Sequence, residues 1–254
     1  QERNERSLTN KLVMTQTKVE MRMKYLGSKN RVAKQMLPII TEKRKPNQVY
    51  VEPFVGGGNM IDKVSGERLG ADKNEYVIAL LQEMTKDSYT SPIISEEKYS
   101  EIKNNKDSFE KWIVGYAGTQ LSFGATWFGS YRRDKTGVRN YSNEAIRNVN
   151  KQALNMKGVK FVCCDYTELE IPPMSLLYCD PPYDTKATKG KYKDDFDHDM
   201  FWQWCRDMAT AGHTIFVSEY NAPSDFKCVW EKKITQRMNN NVKTVANSEK
   251  LFTI

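Results

Sequence analysis

Short apolar runs alternate with amphipathic stretches along most of this chain. Residues 28–43 carry apolar positions at helical spacing, which predicts a helix that Pro38 should end or kink. Gln48–Glu52 (QVYVE) reads as a buried strand and is followed at once by Gly56-Gly57-Gly58. A short helix to about Val64 and a second strand, Arg68–Asp72, come next. Asn74 is placed to cap a helix whose Val77, Leu80, Leu81 and Met84 share one face. Strands resume at Lys160–Cys164, Ser175–Asp180 and Thr214–Glu219, and a helix over 198–211 should bury Phe201, Trp204, Cys205 and Met208. This alternation predicts a parallel, doubly wound α/β sheet.

Residues 86–158 break the pattern. Helical stretches over 95–105 and 107–121 lead into a basic loop rich in glycine and aromatics, Phe123–Tyr141. A helix over Ser142–Met156 follows, with Ile146, Val149 and Ala153 at helical spacing, and stops at Gly158. The segment reads as an inserted, mainly helical subdomain. The chain has 254 residues, enough for one full-sized domain or one with an insertion.

Charge adds a second layer. Residues 1–45 carry 12 Lys/Arg against 4 Asp/Glu, and residues 130–160 carry 8 against 2, while the remaining stretches are mildly acidic. Two basic blocks in one chain are the footprint expected of a polyanion binder. No apolar run approaches the ~18 residues of a membrane helix, which predicts a soluble, cytoplasmic chain; residues 1–20 read as a flexible N-terminal extension. The five cysteines include no CxxC, and only His198 and His213 could assist them as ligands. Free thiols are expected rather than a zinc cage or disulfide framework, with Cys163, Cys179 and Cys205 acting as small hydrophobes.

Two motifs carry chemistry. In Glu52-Pro53-Phe54-Val55-Gly56-Gly57-Gly58-Asn59, the glycines after the first strand let the backbone turn sharply and approach a ligand. Asp72, at the end of the second strand, can accept hydrogen bonds from both hydroxyls of a ribose. The loop is neither G-x-G-x-x-G nor G-x-x-x-x-G-K-[ST], so with Asp72 it favours a nucleoside-bearing cofactor without a pyrophosphate. The second motif is Asp180-Pro181-Pro182-Tyr183, directly after the apolar run LLYC. Asp180 and the Pro181 carbonyl can accept hydrogen bonds from an exocyclic amine and leave its lone pair aimed at an electrophile. Pro182 stiffens the loop, and Tyr183 offers a face on which an extruded base can stack.

With these residues in this order the chain resembles the Dam-type N6-adenine DNA methyltransferases, whose cofactor motifs precede the catalytic one. Lys24-Tyr25-Leu26-Gly27-Ser28-Lys29 resembles the family's N-terminal motif, which implies that Tyr25 and Lys29 contact S-adenosylmethionine. The same resemblance assigns Phe54, Gly56 and Gly58 to the cofactor loop, Asp72 to the ribose and Asp165 (in FVCCD) to the cofactor adenine. Asp180 also approaches the methionine end, and Glu249-Lys250-Leu251-Phe252 is similar to the family's closing segment. It implies a Rossmann-like fold of the class I methyltransferase type: residues 1–85 and 159–254 would form the catalytic domain, and 86–158 the target-recognition subdomain. A bacterial or phage-infected cell is then the expected setting, and restriction-modification one expected role.

The expected reaction is direct in-line transfer of a methyl group to N6 of an adenine flipped out of double-stranded DNA. No Pro-Cys pair is present for C5-cytosine chemistry, and the mechanism calls for no metal. Tyr131, Arg132, Arg133, Lys135 and Arg139 are the candidate DNA contacts, with Tyr131 or Trp127 as a wedge into the base stack. A monomer is expected. The same tetrapeptide suits N4 of cytosine, and a DNA-binding module with an inactive cofactor site is the alternative from another class.

Overall fold

The computed structural model describes residues 22–134, 136–183, 196–236 and 245–254, with backbone alone at 234–236 and 245–247. Lys135 and the proposed extension over 1–20 lie outside the described residues. Seven strands form one sheet: β1 (Tyr50–Glu52), β2 (Arg68–Asp72), β3 (Val159–Cys163), β4 (Leu176–Cys179), β5 (Thr214–Glu219), β6 (Lys227–Gln236) and β7 (Val245–Thr253). Their order is β3-β2-β1-β4-β5-β7-β6. The first five run parallel, as expected. The parallel expectation needs correcting at one edge, where β7 is antiparallel to both β5 and β6. These two strands were not foreseen, because Lys227–Lys233 has three apolar residues followed by three charged ones and lacks the period of two that marks a strand.

The described helices are α1 (Ala33–Thr41), α2 (Glu75–Met84), α3 (Glu96–Asn104), α4 (Lys111–Gln120), α5 (Tyr141–Ala153) and α6 (His198–Thr210). Pro38 does not end α1, which runs on through it to Thr41. Pro38 lies on the exposed side of a short helix, where the carbonyl it cannot serve meets water. Asn74 caps α2 as predicted, accepting from the backbone N–H groups of Tyr76 and Val77, and all four expected apolar residues of α2 are buried. In α6 Phe201 and Cys205 are buried as expected, but Trp202 takes the third buried place and Trp204 and Met208 are only partly covered. Trp202 packs edge-on against Phe226 at 4.7 Å, while Trp204 is half-buried against Tyr166. Cys163, expected to act as a small hydrophobe, is exposed, whereas Cys179 and Cys205 are buried; all five cysteines are free thiols.

Each face of the sheet carries its own apolar core. One gathers Met36, Leu81, Tyr116, Val149 and Met156, and the other Val51, Leu177, Phe201 and Val217. Helices α3 to α5, from the stretch between 86 and 158, contribute to the first core; α4 packs on α2, and α3 packs on α4. None of the described helices is long and apolar enough to cross a membrane. The strand order reverses between β1 and β4, and doubly wound sheets bind ligands at such a switch point, outside the carboxyl ends of the strands.

Candidate active site

At that edge the chain leaves β1 through Pro53 and Phe54 into the glycine loop. Gly56 and Gly58 adopt φ of 47° and 64°, a left-handed backbone that side chains with a Cβ disfavour. The Tyr25 ring lies on this loop: a Cβ on Gly56 would come within 2.7 Å of Tyr25 Cε1. Asp72, at the end of β2, accepts from the Gly56 N–H through Oδ2 and from the Asn74 N–H through Oδ1, both at 3.0 Å. Burial raises its pKa, and the two N–H groups partly offset that rise. A carboxylate has about four acceptor sites, so each oxygen keeps capacity for a ribose hydroxyl. Asp165, just past β3, accepts from the Thr167 N–H and hydroxyl at 3.0 and 2.9 Å. Phe54 stacks in an aromatic cluster with Tyr166, Phe196 and Phe201. Carboxylates, a glycine turn and aromatic walls along one edge are a donor set that fits a nucleoside bearing a cationic sulfonium.

Asp180-Pro181-Pro182-Tyr183 leaves β4 beside this loop. Lys29 Nζ sits 2.9 Å from Asp180 Oδ1, 3.5 Å from Glu249 Oε1, and 4.5 Å above the Tyr183 ring. The Tyr183 hydroxyl donates to Glu249 Oε1. Tyr220, following β5, meets the Tyr183 ring edge-on at 4.7 Å. Burial pushes the Asp180 pKa up to about 6; Lys29 pulls it down and Glu249 pushes it up. Burial also works against the charge on Lys29, but Asp180 and Glu249 together hold its pKa above the ordinary lysine value. The Tyr183 hydroxyl is driven well up by burial and then by the two acids, so it stays protonated.

Sequence reasoning missed Glu249 as a site residue. Strand β7 pairs Lys250 with Glu219, which sets Glu249 at the carboxyl end of β5 and level with the Asp180–Tyr183 loop. Its side chain is 7% exposed, and an acid so buried needs partners of the kind it has here. Glu52 was also overlooked: it is 2% exposed, accepts from the Tyr50 hydroxyl at 2.9 Å, and burial holds its pKa well above the carboxylate range. In sequence, the one signal was an acid closing an apolar strand.

The basic loop is less uniform than its sequence. Arg133 is exposed and pairs with Glu96 through its Nε at 2.7 Å, and Arg139 is exposed and reaches Glu144 at 2.6 Å. Arg132 is folded inward, 8% exposed, with its guanidinium 4.2 Å from the Tyr141 ring centre. Tyr131 donates to the Ile94 carbonyl and packs against Tyr99 at 5.3 Å. Trp127 packs on Tyr76 and Phe128. The most exposed large apolar residues of the loop are Phe123 and Val138, at 71% and 84%, against 38% for Trp127. Ala125 and Phe128 hold positive φ of 57° and 42°, strained values for residues with a side chain. Among the described residues no group of three His, Cys, Asp or Glu is placed to hold a metal ion.

The family model of the D12 class N6 adenine-specific DNA methyltransferases matches residues 25–113 and 119–246. The chain therefore belongs to that family: it is an adenine-N6 DNA methyltransferase that takes its methyl group from S-adenosylmethionine. The Type II methyltransferase M.MjaIII of Methanocaldococcus jannaschii is 26% identical over 249 residues, covering 78% of this chain and 84% of that protein. The crystal structure of SMU.472 complexed with SAH aligns with a TM-score of 0.34 at 12% identity, over 89% of this chain and about half (52%) of that one.

Proposed function

We propose that this chain methylates N6 of an adenine rotated out of the DNA duplex, with Asp180, Pro181, Pro182 and Tyr183 as the groups that receive the base. The observation that carries this reading is the joint placement of Asp180, Lys29, Glu249 and the Tyr183 ring at the switch point of the sheet. Asp180 and the Pro181 carbonyl accept the two N6 hydrogens, which lets the nitrogen become more tetrahedral as it attacks. Tyr183 stacks on the base, its ring held by Glu249 at the hydroxyl and Tyr220 at the edge. When bound, S-adenosylmethionine supplies an electrophilic methyl on a sulfonium. Tyr25, Lys29, Phe54, Gly56, Gly58, Asp72 and Asp165 form its cradle; Asp72 takes the ribose, and Asp165 the adenine amine. Positioning and electrostatics account for the rate gain, with no covalent enzyme intermediate.

In this reading, residues 1–85 and 159–254 hold the cofactor, while 86–158 meets the DNA through the loop between α4 and α5. The reading predicts a rise in fluorescence when the target adenine is replaced by 2-aminopurine and the enzyme is added. It also predicts labelled N6-methyladenine as the transfer product with unmodified duplex. Transfer without that rise would remove base extrusion; N4-methylcytosine as product would overturn the base.

Arg133 and Arg139 can each exchange a carboxylate partner for a phosphate. Replacing both by alanine is expected to weaken duplex binding and lower the slope of log affinity against log salt by about 2, at about 0.9 per lost phosphate contact. A titration with unchanged slope would take these arginines out of the interface.

A further inference from the structure

Met23 and Lys24 lead into the N-terminal motif and belong to no strand, yet Met23 is 2% exposed. Buried backbone groups need partners, and here side-chain amides provide them. The Met23 N–H donates to Gln152 Oε1 at 2.8 Å, and its carbonyl accepts from Asn59 Nδ2 at 3.4 Å. The Lys24 N–H donates to Gln120 Oε1 at 2.8 Å, and its carbonyl accepts from Gln120 Nε2 at 2.9 Å. A primary amide offers an acceptor and a donor as a peptide group does, so Gln120 stands in for a neighbouring strand.

Gln152 does a second thing. Its Nε2 donates to the carbonyls of Gly57 and Gly58 at 2.9 and 3.2 Å, so one fully buried side chain holds both the N-terminal segment and the glycine loop. The residue after this clamp is Tyr25, whose ring lies on Gly56 and Gly57, and four residues further on Lys29 reaches Asp180. A slip of the segment by one residue would misplace both.

We infer that Gln120 and Gln152 are positioning residues of the cofactor site, which fix the register of residues 23–25 against the glycine loop before the cofactor arrives. This rests on the placement of the cofactor proposed above. Gln120 closes α4 and Gln152 lies in α5, the helices on either side of the basic loop, so the stretch proposed to meet DNA is also the one that holds the cofactor loop in shape. Apolar side chains at these two positions would serve helix packing equally well; only the amides serve the segment. A preassembled site binds more tightly because its ordering is complete in the free protein.

The test is Gln152→Met and, separately, Gln120→Met, which keep length and remove the hydrogen bonds. Calorimetric titration with S-adenosylmethionine and steady-state kinetics are run beside Leu176→Ala, a core change at the amino end of β4 used to show what loss of stability alone does. The expected result is a rise of about tenfold in Kd and KM for the cofactor, from lost preorganisation, with kcat within about twofold. The salt slope of duplex binding should stay unchanged. Gln120→Met removes the two bonds to Lys24 and one to the neighbouring Thr119 hydroxyl, leaves the glycine loop untouched, and keeps the test valid should Gln152→Met not fold. Cofactor affinities in both variants no weaker than in Leu176→Ala would overturn the clamp. Asp72→Ala, titrated in parallel, separates the two levels: if it binds cofactor as wild type does, the cofactor placement falls and the clamp with it. If Asp72→Ala loses affinity while both glutamine variants keep theirs, the clamp alone falls.

Discussion

Asp180→Ala is expected to cut methyl transfer at least about 10²–10³-fold in kcat, the scale for losing one preorganised electrostatic contact at a reacting centre. Affinity for duplex DNA should stay near wild type. The side chain sits at the end of β4, with one oxygen on Lys29 and a 21% exposed surface open to the switch-point crevice. In the proposed mechanism alanine removes the acceptor for the N6 hydrogens, and residues 181–183, the described remainder of the loop, carry no second carboxylate. The fold should survive, because Lys29 keeps Glu249 as a partner and its charge stays compensated. Asp180→Asn retains an acceptor oxygen and should fall between alanine and wild type. Single-turnover transfer with labelled cofactor, beside a duplex-binding titration, reads both quantities. Wild-type turnover in the alanine variant would remove Asp180 from the chemistry.

The sequence was most legible where local rules and burial agree. Arg68–Asp72 and Thr214–Glu219 appear as strands with the expected bounds, since both are short apolar runs flanked by turn signals. Asn74 caps its helix because an asparagine side chain before an amphipathic run has few better uses. What stayed hidden depends on contacts between distant segments. Glu249 comes beside the loop after β4 only when β7 folds back antiparallel along β5, a long-range pairing that no local pattern in the sequence announces. Gln120 follows Gly118-Thr119 and Gln152 follows Asn150-Lys151, so both look like surface positions until the segment they serve is in place. In the basic loop, sequence alone does not separate Arg132, turned in over Tyr141, from Arg133, turned out. Nor does it show that Trp127 and Tyr131 pack while Phe123 projects.

The cluster around Asp180 also sets how the enzyme should answer to pH. In the proposed mechanism transfer needs the Asp180 carboxylate, since its protonated form offers a donor where the N6 hydrogens require an acceptor. With its pKa pushed up to about 6, kcat/KM should level off above neutrality and fall about tenfold per pH unit below about 6. Two neighbours act on that value in opposite directions. Lys29 favours the charged form, so Lys29→Met should move the acid limb to higher pH by roughly 1–3 units, the range for losing a close opposite charge. At pH 7 that is a loss of about twofold for a shift of one unit and about 100-fold for three in kcat/KM, before any effect on cofactor binding. Glu249 disfavours the charged form, so Glu249→Gln should move the limb to lower pH, and its amide oxygen can still accept from the Tyr183 hydroxyl. Opposite displacements follow only if both side chains act on one carboxylate through charge. A loosened pocket would lower the plateau in both variants and leave the limb in place. Profiles of kcat/KM from pH 5 to pH 9 decide between these outcomes, and limbs that shift in the same direction would show that the three groups do not form one electrostatic unit.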